Sequence, residues 1–125
     1  KKEEFRAAGK DFREAWVFHG TQRIVNAESI AKGKFRIGGV NNHQILHGSV
    51  WGHGVYTDIN PSTPSRYGKF VLLCRALYGK KESASISQQT DPCPGADSWT
   101  PTPEPTWRIF RTAEQLLPKY IIHLQ

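Results

Sequence analysis

The stretch KFVLLCRALYG, residues 69–79, holds the longest apolar run of the chain, around Phe70–Leu73, and ends on a glycine. Such a run suits a buried β-strand. Working outward, WVFHG (16–20) reads as a second brief strand stopped by glycine. WGHGVYTD (51–58) sets two glycines before an alternating strand, where the backbone turns sharply or approaches something closely. Downstream, Trp107–Arg111 and Lys119–Leu124 read as closing strands, with Gln115–Leu117 and Pro118 turning the chain between them.

Helical material lies early. Residues 1–15, KKEEFRAAGKDFREA, space Phe5, Ala8, Phe12 and Ala15 at helical intervals. Thr21–Lys32 predicts a helix with Ile24, Ala27, Ile30 and Ala31 inward and Gly33 as its stop. Phe35–Ile37 is a short strand closed by Gly38 and Gly39. A polar loop runs from there to Trp51, and NPSTPSRYG (60–68) is a turn. Residues 79–106 hold most of the prolines with many Ser, Thr and Gly, and read as one long loop. Short strands outnumber helices and the two do not alternate, so the fold class is α+β rather than a doubly wound sheet.

At 125 residues the chain is one domain, 1–125. It opens on Lys1, which fits a segment of a longer protein. Hydrophobic residues make up 38% and charged residues 22%, ordinary for a soluble globular domain, and no apolar run reaches the roughly 18–20 residues that span a bilayer. Cys74 reads as a core residue and Cys93 as a loop residue, which makes neither a disulfide framework nor a metal site and favours an intracellular, nuclear or cytoplasmic setting. The net charge of +6 is an electrostatic pull on an anion: a dinucleotide pyrophosphate, a nucleic acid or an acidic protein.

The chain has no P-loop, GxGxxG, HExxH or CxxC motif. What stands out is a strand-end histidine in VFHGT and a glycine-flanked tyrosine in GHGVYT. Either alone is ordinary packing. Together, their glycines expose backbone groups that a planar amide can use. His43, His47 and His53 read as solvent-facing, since no carboxylate or cysteine completes a metal set around them.

FHGT, an arginine in FRIGG, WGHGVYT, a tyrosine eleven residues on at Tyr67, and VLLCRALYG follow one another in order. This series, over residues 16–80, resembles the catalytic core of the poly(ADP-ribose) polymerase family, the diphtheria-toxin-type His-Tyr-Glu class of ADP-ribosyltransferases. The tail AEQLLPKYIIHL resembles that family's last strands less specifically. The resemblance implies two packed, mostly antiparallel sheets with a few short helices and an NAD cleft between them. It implies NAD+ as co-substrate, no metal, no membrane and a monomeric domain.

By the same resemblance, His19 would hydrogen-bond the 2′-hydroxyl of the nicotinamide ribose. Gly20 would hold the carboxamide through its backbone. Tyr67 would stack on the nicotinamide ring with Tyr56 as the other wall. Thr21 would reach the ribose or a phosphate, Arg36 would lie by the adenosine half, and the loop Gly39–Trp51 would cover the dinucleotide. Polymer-forming members complete the set with a glutamate on a late strand. Aligned through Gln115, that position is Trp107, in TWRIFRTAEQ. The tryptophan N–H only donates, so it cannot polarise an acceptor hydroxyl.

The resemblance therefore implies transfer of a single ADP-ribose unit to a protein or nucleic-acid acceptor. The alternatives are an inactive NAD- or ADP-ribose-binding module, polymer synthesis through Glu104 if the alignment slips by three residues, and RNA 2′-phosphotransfer. The last would want several basic residues at the pocket, where Arg36 alone stands.

Overall fold

β3, Phe70–Leu77, is the run that opened the sequence, and its neighbours on both sides are antiparallel. In the computed structural model, residues 1–21, 50–60 and 70–123 are described. On one side β3 pairs with β1, Glu14–Thr21, from Glu14 opposite Leu77 to Thr21 opposite Phe70. On the other it pairs with β7, Leu116–His123. Leu72, Cys74 and Ala76 alternate inward and join Val17, Val55, Phe110, Ala113 and Leu116 in a first core.

The remaining strands form the other half. β2, Val55–Asp58, pairs antiparallel with β6, Trp107–Phe110. β6 pairs with β5, Ser98–Pro101, and β5 runs parallel to β4, Lys81–Ala84. Trp51, Ala84, Cys93, Ala96, Trp99 and Ile109 make a second core there. Among the described residues the strands lie in the order β4-β5-β6-β2-β1-β3-β7, a mixed seven-stranded sheet with little helix. The α+β class stands. The expected two packed sheets are corrected to one continuous sheet, because a single register pair, Phe18 opposite Asp58, joins β1 to β2. One pair is enough to make the ladder continuous while leaving two separate cores.

Several expected elements differ. The N-terminal helix α1 covers only Lys2–Ala7, with Phe5 buried. Gly9 takes a left-handed φ of +71° and ends it, so Phe12 is 37% exposed and Ala15 belongs to β1. Thr21 closes β1 rather than opening a helix. The rest of that helix, the strand at 35–37, the loop at 39–49 and the turn at 61–68 lie outside the described residues.

The long loop of 79–106 contains β4 and β5 instead. Trp99 is 1% exposed at the middle of β5, and burying a ring of that size favours an ordered strand over a mobile loop. Gly79 starts this region at φ +61°, where a Cβ would come 2.6 Å from the Asp97 side chain. The expected turn at 115–118 is a single 3-10 turn, Ala113–Gln115, followed directly by β7. Pro118 sits inside β7 opposite Cys74, where the register shifts. β7 is the last strand of the described sheet, a place where the missing N–H is tolerated. No described helix is long and apolar enough to cross a membrane.

Candidate functional site

His19 lies near the end of β1, across from Leu72 on β3. Its Nδ1 stands 2.8 Å from the main-chain carbonyl oxygen of Tyr56. A carbonyl only accepts, so Nδ1 carries the proton. Burial pushes the His19 pKa below its ordinary value, against a smaller opposing pull from the Tyr56 carbonyl. The ring is therefore the neutral Nδ1–H tautomer, whose Nε2 is an acceptor. Gly20, next in β1, is half-buried opposite Val71.

Tyr56 is positioned by the two glycines ahead of it. Gly52 has φ +98°, and a Cβ there would approach Pro92 Cδ to 2.5 Å; a Cβ on Gly54 would meet the Phe110 carbonyl at 2.7 Å. The first glycine makes the turn and the second lets β2 close on β6. The Tyr56 hydroxyl donates to the Gly52 carbonyl and accepts from the Trp51 amide, both at 2.7 Å. Trp99 Nε1 donates to the Trp51 carbonyl at 2.6 Å and fastens the same turn to the second core. Burial pushes the Tyr56 phenol up to about 12, which keeps it protonated and unsuited to act as a base.

The ring of Tyr56 packs on the second core and meets Trp107 edge-on, with centroids 6.2 Å apart and planes at 66°. Strand register explains this contact. Tyr56 pairs with Ile109 and Asp58 with Trp107, so these four side chains share one face of β2 and β6. The structure thus joins His19 to the main chain of Tyr56, and the ring of Tyr56 to Trp107. Glu104 and Glu114 are exposed, and Glu104 meets Trp107 through its carbonyl alone, which accepts from the Trp107 amide at 3.1 Å. Arg36 and Tyr67 lie outside the described residues, as does the side chain of Thr21.

Sequence reasoning passed over Asp58. It is 1% exposed. Its Oδ1 accepts from the Asn60 amide at 2.7 Å, while Oδ2 is buried without a hydrogen-bond partner among the described residues. A lone aspartate at a strand end usually reads as a solvated turn residue. The available signal was its i+2 spacing from Tyr56, which puts both on one face.

Among the described residues no group of three or more His, Cys, Asp or Glu is placed to hold a metal ion. No protein-family model matches the chain, and no curated protein matches it.

Proposed function

We propose that this chain is an NAD+-dependent ADP-ribosyltransferase domain that transfers one ADP-ribose unit to an acceptor. The observation that carries the reading is the bond from His19 Nδ1 to the Tyr56 carbonyl. It links two motifs, VFHGT and GHGVYT, that the resemblance assigns to one nicotinamide site. With burial holding the ring neutral, it also leaves Nε2 as the acceptor, the form that can take a hydrogen bond from a ribose hydroxyl.

In this reading NAD+ binds with its carboxamide on the Gly20 backbone and its ribose 2′-hydroxyl donating to His19. The nicotinamide–ribose bond breaks with its electron pair going to the ring nitrogen, so nicotinamide leaves neutral and no general acid is needed. The ribose develops oxocarbenium character, as in glycoside hydrolysis. The acceptor attacks that carbon and its proton passes to solvent. Catalysis rests on positioning and on stabilising the developing charge. Trp107 in place of a glutamate supports single transfer over polymer growth.

A second reading, an NAD-binding module without transfer, draws on the packing of Trp107 against the second core. Labelled NAD+ separates the two. A discrete labelled band that disappears in His19→Ala supports the transferase. Full labelling by that variant overturns it. Absent labelling, with thermal stabilisation of the wild-type chain by NAD+, supports the binding module.

A further inference from the structure

Four of the five described arginines hold a carboxylate. Arg6 pairs with Glu3 at 3.7 Å, Arg13 with Asp11 at 3.0 Å, Arg75 with Glu14 at 3.5 Å and Arg111 with Asp91 at 2.8 Å. Arg108, on β6, has no carboxylate within ion-pair distance among the described residues, although Glu104 stands exposed in the turn just before it.

Arg108 is nevertheless held in place. Its Nη1 donates to the Pro105 and Trp107 carbonyls, both at 2.8 Å, and to the Thr100 hydroxyl on β5 at 3.2 Å. The turn carrying these carbonyls is itself bonded: the Glu104 amide donates to the Pro101 carbonyl at 3.0 Å and the Trp107 amide to the Glu104 carbonyl at 3.1 Å. All three contacts of the guanidinium fall on one nitrogen. Nε–H and the Nη2 hydrogens have no acceptor among the described residues. Both nitrogens are open to solvent, because among the described residues the only buried side-chain nitrogen or oxygen without a partner is Asp58 Oδ2.

The open edge, Nε with Nη2, has the parallel N–H pair that matches two oxygens of an oxyanion. Holding the opposite corner removes part of the rotamer freedom that a flexible surface arginine loses on binding. Keeping a half-buried guanidinium without a counter-charge is costly, so the open edge points to an anion from outside the chain. The net charge of +6 draws anions in. One fork is a weak site, and a terminal phosphate, with about −1.5 to −2 charges at neutral pH, fills it better than the single charge of a carboxylate.

We propose that the Nε–Nη2 edge of Arg108 binds a terminal phosphate group, either free phosphate or the monoester end of a larger ligand. The site does not rest on the transferase reading.

NMR of the arginine Nε–H groups tests this on the folded chain. Titration with inorganic phosphate at about pH 7.5 and constant ionic strength should shift the Arg108 resonance saturably and leave those of Arg6, Arg13, Arg75 and Arg111 in place. No saturable shift, or an equal shift of all five, overturns the site. An equal response to acetate overturns the preference for phosphate, and an equal response to NAD+, whose phosphates are diesters, overturns the preference for a terminal group. Ribose 5-phosphate distinguishes the sources: tighter binding than inorganic phosphate supports a phosphorylated ligand, and equal binding supports free phosphate. Arg108→Lys keeps the charge and loses the fork. Followed through the backbone amides of Thr100 and Trp107, it should bind phosphate roughly tenfold more weakly, and unchanged affinity overturns the role of the fork. If that variant does not fold, the wild-type titrations with phosphate and acetate decide.

Discussion

His19 donates its Nδ1–H to the main-chain carbonyl of Tyr56 over 2.8 Å, a contact between residues 37 apart in the chain. It orients the ring from the backbone of a neighbouring strand, so the orientation does not depend on the rotamer of the Tyr56 side chain. Burial holds this histidine below its ordinary pKa of 6.5. Between the lowered folded value and 6.5, the unfolded chain binds a proton that the folded chain does not. Stability contributed by the neutral ring is therefore complete above about pH 6.5 and is lost as pH falls through the folded value. Thermal melts from pH 7.5 to 5 should show the wild-type chain losing more stability on acidification than His19→Gln. Parallel curves would show that His19 is not the group responsible.

Tyr56→Phe separates the hydroxyl from the ring. The hydroxyl holds Trp51 and Gly52, whereas the ring holds Trp107. Losing two hydrogen bonds while keeping the packing should cost about 1–3 kcal/mol in urea unfolding. NAD+ labelling, measured well below the melting temperature, should persist, because the phenol at about 12 is no base in the reaction. Loss of labelling in a fully folded variant would assign the hydroxyl a part in the chemistry.

Trp107→Glu tests what the late-strand position does. The ring packs on the second core and against Tyr56, and a glutamate would stand directly across from Asp58. Lost packing and like charges opposite one another should destabilise by about 2–4 kcal/mol. The labelled product should remain a discrete band. A smear of polymer from this variant would mean that a carboxylate at 107 reaches the acceptor hydroxyl and that the alignment through Gln115 is right in function as well as in sequence.

These contrasts track what a sequence can carry. The run 70–77 and the strand at 16–20 were legible because each carries its own local mark, an apolar run in one and a glycine-ended apolar stretch in the other. β4 and β5 were not: only Ala84 of Lys81–Ala84 is buried, and Ser98–Pro101 sits among prolines that announce loop. The N-terminal spacing suggested fifteen helical residues, and one glycine in a left-handed conformation overrode it at Gly9. The candidate site was half legible. His19 and Tyr56 sit beside glycines, a local mark. Asp58 becomes notable only through its partners on β1 and β6, and register between strands distant in sequence leaves no local trace.

The halves of the sheet are also held by a side chain. Gln115, 2% exposed, donates through Nε2 to the Leu77 carbonyl at the end of β3 at 3.0 Å and to the Asp97 carbonyl beside β5 at 2.9 Å. Its Oε1 accepts from the Thr112 amide at 3.0 Å and from the Thr112 hydroxyl at 3.1 Å. It thereby ties β3 of the first half to β5 of the second, where the strands themselves are joined by one register pair. Gln115→Leu keeps the approximate volume and removes all four bonds, although the Asp97 carbonyl keeps the Arg111 amide as a donor. The expected loss is about 2–4 kcal/mol. It should appear as a lower urea midpoint with an unchanged slope, since the surface exposed on unfolding is the same. A reduced slope would mean that the halves have begun to unfold separately, and that Gln115 is what makes them one cooperative unit.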